Sequence, residues 1–169
     1  VDAVIDNLPP SLISRQEKLQ ILDAGCGTGL VGDCLAQSSL SGKFDLYGVD
    51  LSGGMLEVAR GKGVYQSLER ADLNEGIPSP DEKYDVVMCV GTLTKGHVGA
   101  GVLEEFARLT VKGGLVVATV HDGIWESGGF EGVIGRLQQK GVVKVVSLDS
   151  FGILEEESQG GRMVILKKI

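Results

Sequence analysis

The sequence predicts an α/β protein: seven strands in a doubly wound, mostly parallel sheet, with helices on both faces and the last strand antiparallel. Three observations predict it. Short apolar runs alternate with amphipathic stretches five times along the chain, the pattern of strand–helix units in a parallel sheet. The run "YDVVMCVG" (84–91) is almost wholly apolar, as in a strand covered on both faces. Two final strands follow one another across a polar, acidic connection, "LEEESQGG" (154–161), which suits a hairpin better than a crossover.

Val1, Val4, Ile5 and Leu8 recur at helical spacing, and Pro9-Pro10 stops that helix. Residues 18–22 read as a short buried strand running into the glycine-rich stretch "AGCGTGLVG" (24–32). Leu30, Val31, Cys34 and Leu35 then share one helical face. Residues 45–50, "DLYGVD", form a second strand that ends in an acid. Ser52 caps a helix whose inner face carries Met55, Leu56 and Ala59, with Gly61 and Gly63 at its end. "SLERADL" (67–73) is a weaker third strand, and 84–91 the fourth. Val98, Val102, Leu103, Phe106 and Leu109 mark an amphipathic helix. Lys112-Gly113-Gly114 turns the chain into a fifth strand over 115–120. Phe130, Val133, Ile134 and Leu137 mark one more helix, and strands over 142–148 and 163–167 close the chain.

The stretch "ILDAGCGTGLVG" (21–32) fits two templates. From Gly27 to Gly32 it satisfies the dinucleotide pattern G-x-G-x-x-G. From Asp23 to Gly29 it satisfies the D-x-G-x-G-x-G pattern of methyl-donor sites. Ligands of open parallel sheets bind at the carboxyl ends of the strands, and Asp23, Asp50 and Asp72 all stand at or just past such ends. Asp50 follows the glycines at the distance, about 20 residues, where a carboxylate accepts from ribose hydroxyls in either kind of site. Asp23 favours the second template. A carboxylate beside the loop opposes a diphosphate held on backbone N–H groups, whereas S-adenosylmethionine brings no phosphate and carries an ammonium and a sulfonium. Asp72 suits an acceptor for the exocyclic amine of adenine.

The chain of 169 residues carries 43% hydrophobic residues, 5% aromatics and a net charge of −7. One domain over residues 1–169 follows from the length. The acidity lacks the electrostatic footprint of a nucleic-acid or anionic-membrane partner. Three cysteines without a C-x-x-C pair suggest neither a disulfide framework nor a zinc site. Reduced thiols point to an intracellular compartment, cytoplasmic with the nucleus as alternative, and no apolar run is long enough to span a bilayer.

"ILDAGCGTG", "YGVDLSGGMLEVAR", "ADL", "YDVVMCVGTLT" and "LTVKGGLVVATV" stand in an order and spacing that resembles the class I S-adenosylmethionine-dependent methyltransferases. More narrowly, "VGTLTKGHVG", "GVYQSLERADL" and "GGFEGVIGRLQ" resemble the methyltransferase-like protein 27 group. The resemblance implies a Rossmann-like sheet of order 3-2-1-4-5-7-6 and S-adenosyl-L-methionine as cofactor, with S-adenosyl-L-homocysteine as product. It places Asp23, Gly25, Cys26, Gly27, Gly29 and Leu30 around the methionine end. Asp50 would hold the ribose, with Leu51, Ser52 and Met55 beside the adenosine, and Asp72 and Leu73 would frame adenine. Cys89, Val90 and Gly91 would line the cleft beneath the transferable methyl. Relatives of this kind usually carry an upstream helical segment whose tyrosine closes over the donor, and the expectation is that this chain starts after it.

Methyl transfer is an in-line displacement at an activated carbon, so positioning dominates and a base is needed only if the acceptor must lose a proton. His97, in "KGHVG" after the fourth strand, is the candidate base or substrate clamp. Thr92, His121 and Trp125 are candidates for contact with a small-molecule acceptor. Two other readings stand beside this one. An NAD(P)-dependent oxidoreductase would use the first template, and a donor-binding protein without turnover would act through a protein partner.

Overall fold

A computed structural model of the chain describes residues 1–96, 98–152 and 160–169. The strands are β1 (Leu19–Ala24), β2 (Phe44–Asp50), β3 (Tyr65–Arg70), β4 (Tyr84–Leu93), β5 (Thr110–His121), β6 (Val143–Phe151) and β7 (Gly161–Lys168). The helices are α1 (Asp2–Asn7), α2 (Pro10–Ile13), α3 (Leu30–Ala36), α4 (Gly53–Arg60), α5 (Val102–Leu109), α6 (Asp122–Trp125) and α7 (Phe130–Gln139). One sheet holds all seven strands in the order β3-β2-β1-β4-β5-β7-β6. The pairs from β3 to β5 are parallel, and β7 runs antiparallel to both β5 and β6. The expected order and the antiparallel last strand are therefore observed.

Two apolar clusters cover the two faces of the sheet. Phe106, Leu103, Phe130, Ile134 and Leu137 from α5 and α7 pack with Leu22, Val87, Cys89 and Val116 on one face. Val4 and Leu8 with Leu35 of α3 pack with Ile21, Leu46, Val86 and Val117 on the other. Alternate residues of one strand thus enter different clusters, and both sides of β1 and β4 are dry. That is why β4 reads as a continuous apolar run. At the amino ends of the strands Arg15 grips Asp85 with two hydrogen bonds, at 3.0 and 2.5 Å. Asp85 also accepts from the Gln20 backbone N–H at 2.8 Å, so one buried carboxylate fixes β1 against β4 at the end opposite the cleft.

Three expectations need correction. Pro9-Pro10 ends α1 but also begins α2, where Pro10 occupies the first helical position, a place that needs no N–H. The third strand runs from Tyr65 to Arg70 rather than over 67–73: the Ala71 N–H makes a last bond to the Asp50 carbonyl at 3.1 Å, and Asp72 then turns the chain through its own side chain, accepting from the Asn74 N–H at 2.9 Å. Lys112-Gly113-Gly114 does not turn into β5 but lies inside it as an irregularity, where pairing jumps from Tyr84↔Thr110 to Val86↔Leu115. Gly113 has φ +81° there. A Cβ at Gly114 would lie 2.5 Å from the Asp85 carbonyl oxygen, so backbone packs on backbone at that point. The acidic connection lies mostly outside the described residues.

Candidate functional site

The carboxyl ends of β1, β2 and β4, with the turns that follow β3 and β4, surround a cavity of about 830 Å³. Small-molecule and cofactor sites span roughly 300–1,000 Å³. Its wall includes Gly25, Cys26, Gly27, Leu30, Asp50, Leu51, Ser52, Met55, Asp72, Leu73, Val90, Gly91 and Thr92. The sequence had singled out each of these from widely separated stretches. Thr28, Val31, Ala71, Asn74, Gly96 and Val98 join them without having been picked out. Leu30, Leu51, Met55 and Val90 are exposed although apolar. Their side chains therefore offer the cavity an oily rim, and Asp50 and Asp72 are the only acidic or basic side chains among its described lining residues.

The glycine loop is held by its own amides. The Gly25 and Cys26 N–H groups donate to the Val49 carbonyl at 2.8 and 3.0 Å, and that of Gly29 donates to the Cys26 carbonyl at 2.8 Å. The Gly27 N–H donates to Asp50 Oδ2 at 2.8 Å. Asp50 Oδ1 accepts from Ser52 N–H at 2.8 Å. Ser52 in turn caps α4, its hydroxyl accepting from Met55 N–H at 3.3 Å. One carboxylate at the end of β2 thus sets both the loop after β1 and the entry to α4.

The glycines are bare for different reasons. At Gly25, with φ +73°, a Cβ would lie 2.2 Å from Thr92 Oγ1. The Thr92 hydroxyl donates to the Gly25 carbonyl at 3.1 Å, so Gly25 makes room for β4. A Cβ at Gly27 would meet only Met55 Sδ, at 3.9 Å, and this glycine faces open cavity. Gly29 lies behind the wall, packed toward α4 and β3, where a Cβ would be 3.0 to 3.2 Å from Lys62, Tyr65 and Ala59.

Asp23 is where the sequence reading needs its main correction. The carboxylate does not face the cavity; it is 1% exposed beneath the loop. Its Oδ2 accepts from the Tyr65 hydroxyl at 2.8 Å, and its Oδ1 has no hydrogen-bond partner among the described residues. Burial, against the relief of the Tyr65 hydrogen bond and with the nearby Asp50 charge, pushes its pKa up to about 7. Tyr65 itself went unnoticed in the sequence. The signal was Gly48 in the middle of a strand, which marks a close approach: a Cβ there would lie 3.0 Å from the Tyr65 ring.

Cys89 also lies away from the cavity, fully buried in the β4 core, because alternation along the strand turns it inward while Val90 faces the cleft. Burial holds its thiol well above the usual range. Cys26 lines the wall, yet burial and then the Asp23 and Asp50 charges push its thiol up to about 12. It is a small neutral packing group, not a nucleophile.

Two acceptor candidates stand apart from the cavity. His121 caps α6, its Nδ1 accepting from Gly123 N–H at 3.0 Å. Trp125 is buried, stacked on Phe130 with centroids 6.3 Å apart and with the Arg162 guanidinium 4.8 Å from its ring centre. A side chain so packed holds α6 against α7. His97 lies outside the described residues. Asp72 Oδ1 accepts from both the backbone and side-chain nitrogens of Asn74, and Asn74 Oδ1 accepts from Gly99 N–H at 3.1 Å. Asn74 thereby links the turn after β3 to the loop after β4 across the cavity rim.

Comparison with known proteins identifies the family and the fold. A family model described as a methyltransferase domain matches residues 21–114. Human methyltransferase-like protein 27 is 37% identical over 142 residues, 82% of this chain and 56% of that protein. The chain thus spans about half the length of this curated relative. A solved S-adenosylmethionine-dependent methyltransferase from Mesorhizobium loti superposes with TM-score 0.72 at 18% identity, over 99% of this chain and 96% of that one. A further structural neighbour is the protein solved in complex with the Haloferax volcanii Trm112 methyltransferase activator, with TM-score 0.69 and 16% identity over 99% and 92% of the two chains. With the matched family model covering more than half of its residues, the chain belongs to the methyltransferase-domain family, and its fold is that of the class I S-adenosylmethionine-dependent methyltransferases.

Proposed function

We propose that this chain binds S-adenosyl-L-methionine in the cavity over Gly27 and serves transfer of its methyl group to a small-molecule acceptor. The observation that carries the reading is the state of the loop amides. Those of Gly25, Cys26, Gly27 and Gly29 all donate within the protein, so a diphosphate over the loop would find these four donors taken and the Asp50 carboxylate beside it. A phosphate-free ligand meets no such conflict. Asp50 retains lone pairs for ribose hydroxyls, and Leu51 and Met55 offer apolar surface to the nucleoside. In this reading Asp72 and Leu73 of the same lining take the adenine, and the acceptor approaches past Val90, Gly91 and Thr92, which line the cavity too.

The bound donor supplies a carbon already activated by its sulfonium. The chain's part is to orient the two reactants and exclude water, and orientation alone is worth several kcal/mol of barrier, up to about 7–11. The apolar rim of Leu30, Leu51, Met55 and Val90 supports a small-molecule acceptor. His97 is the residue to test as base or clamp.

Isothermal calorimetry tests the reading. Saturable binding of S-adenosylmethionine and S-adenosylhomocysteine, with no heat from NAD or NADP, is the expected result. Binding of NAD or NADP without the methyl donor would replace it with an oxidoreductase. A second reading, donor binding that requires a protein partner for turnover, is favoured by the structural neighbour solved with an activator. It predicts donor binding without methyl transfer to any acceptor until that partner is added.

A further inference from the structure

Strands β4 and β5 run in register from Val86↔Leu115 to Cys89↔Ala118 and meet again at Leu93↔Val120. Between those last two pairs β4 has three residues, Val90, Gly91 and Thr92, and β5 has one, Thr119. The pairing of β4 with β1 stops earlier still, at Asp23↔Met88. The extra residues therefore bulge from the sheet, and all three line the cavity. Gly91 takes φ +75° there, a conformation that favours glycine. Bulges of this kind re-aim a strand beside a site. Two threonines hold this one. The Thr92 hydroxyl donates to the Gly25 carbonyl at 3.1 Å, which ties the bulge to the glycine loop. On the other side the Gly91 N–H donates to Thr119 Oγ1 at 2.9 Å, so a β5 side chain takes the place that a β5 carbonyl would have in a regular ladder. Thr119 is half-buried and is not itself part of the cavity wall.

We propose that Thr119 is a positioning residue of the cavity: its hydroxyl pins the Val90–Thr92 bulge from behind and so sets the wall that faces the donor's sulfur and methyl group. The inference rests on the methyl-donor reading and deepens it, naming the part of the site that tells the methylated cofactor from the demethylated one. Gly91 is exposed, so water replaces the acceptor when the hydroxyl is removed. The fold is then retained while the bulge loses its fixed place. Thr92, the other pin, belongs to the wall and cannot separate position from contact. Thr119 can, because among the described residues it meets the wall through Gly91.

Wild type, Thr119→Val and Thr119→Ser are compared in two measurements. Valine keeps the shape and lacks the hydroxyl; serine keeps the hydroxyl and lacks the methyl. Amide hydrogen exchange at Gly91, followed by NMR without ligand, reads the pin directly. Exchange about three- to tenfold faster is expected in Thr119→Val, and nearly wild-type exchange in Thr119→Ser. Calorimetry with S-adenosylmethionine and S-adenosylhomocysteine reads the consequence. These ligands differ only at the sulfur, in one methyl group and its charge, so the ratio of their affinities reports on the wall there. Thr119→Val is expected to weaken S-adenosylmethionine binding about three- to tenfold and to leave S-adenosylhomocysteine within about twofold, with Thr119→Ser keeping the wild-type ratio. If Thr119→Val does not fold, Thr119→Ala takes its place with the same expectations. Unaltered Gly91 exchange in the variant without the hydroxyl overturns the proposal. So does an equal loss for both ligands, which a merely structural threonine would give, and so does a serine variant as impaired as the valine one. A wild type that binds neither ligand overturns the donor reading and the role of Thr119 with it. A wild type that binds both, beside a valine variant with an unchanged ratio, overturns the role of Thr119 alone.

Discussion

The backbone N–H of Gly27 donates to Asp50 Oδ2 across 2.8 Å, while Asp50 Oδ1 holds the N–H of Ser52. The acid that the sequence offered as a ribose acceptor is therefore also the brace of the loop it faces. Asp50→Ala should both weaken donor binding and destabilise the ligand-free fold by roughly 1–3 kcal/mol, since two backbone donors lose a charged acceptor. Denaturant titration of the ligand-free variant beside calorimetry separates the two effects. Wild-type stability with lost binding would mean that Asp50 acts on ligand alone.

Two neighbouring glycines should respond unequally to a methyl group. Gly25→Ala drives a Cβ to 2.2 Å from Thr92 Oγ1, whereas Gly27→Ala meets nothing closer than 3.9 Å. Both have positive φ, which costs alanine about 1–2 kcal/mol. Gly25→Ala should be the more destabilising by about 1–3 kcal/mol, the range for forcing extra volume into packed structure. Gly27→Ala should fold and lose donor affinity instead. Thermal melts and binding isotherms of the pair check the contrast, and Thr92→Ser, which removes one of the clashing atoms, should recover some of the Gly25→Ala loss.

Asp23 gives the ligand-free protein a pH signature of definite sign. Its pKa rises from the carboxylate range to about 7 on folding, so the folded state binds the proton more tightly than the unfolded chain. The resulting contribution to stability is complete below about pH 4 and is lost as pH rises toward 7, above which it changes no further. Asp23→Asn should therefore gain stability relative to wild type across that interval. Urea midpoints of the two proteins at several pH values test it; a difference that stays constant from pH 4.5 to 8 would show that Asp23 is ionised throughout.

Trp125 should separate stability from binding. Its ring is buried between Phe130 and Arg162 and lies off the donor cavity. Trp125→Ala should cost about 3–5 kcal/mol and leave donor affinity within about twofold, distant sites being nearly additive. Weakened donor binding in a variant that remains folded would return Trp125 to the site.

The fold was legible because the two periodicities are clean. Val86, Val87, Met88 and Cys89 in unbroken succession belong to a strand dry on both faces, and Val102, Leu103, Phe106 and Leu109 belong to one buried helix stripe. The irregularity at Gly113-Gly114 was not legible as such, since glycine pairs mark turns more often than close backbone contacts inside strands. At the site, the motifs and the family resemblance named most of the wall but not the direction in which side chains point. Asp23 and Cys89 lie on strands, where one step along the chain reverses the face, and both proved to point inward. His121 and Trp125 share a strand end with the cleft in sequence terms, yet the short α6 turns them aside. Tyr65 was hidden because its place beneath the loop depends on Gly48 of β2 and Gly29 before α3, a relation that only the folded chain assembles.

The position of β7 governs how the protein can be made. Strand β5 needs Gly161–Lys168 along one whole side, with Leu115 opposite Lys167 and His121 opposite Gly161, and the ribosome delivers that partner only after α6, α7 and β6. Until then the nascent sheet presents a long apolar margin with unsatisfied peptide groups, an invitation to foreign strands. Assembly is accordingly a late, non-local event. Shortening the chain by these few residues would leave the interior of the sheet, not its fringe, without a partner.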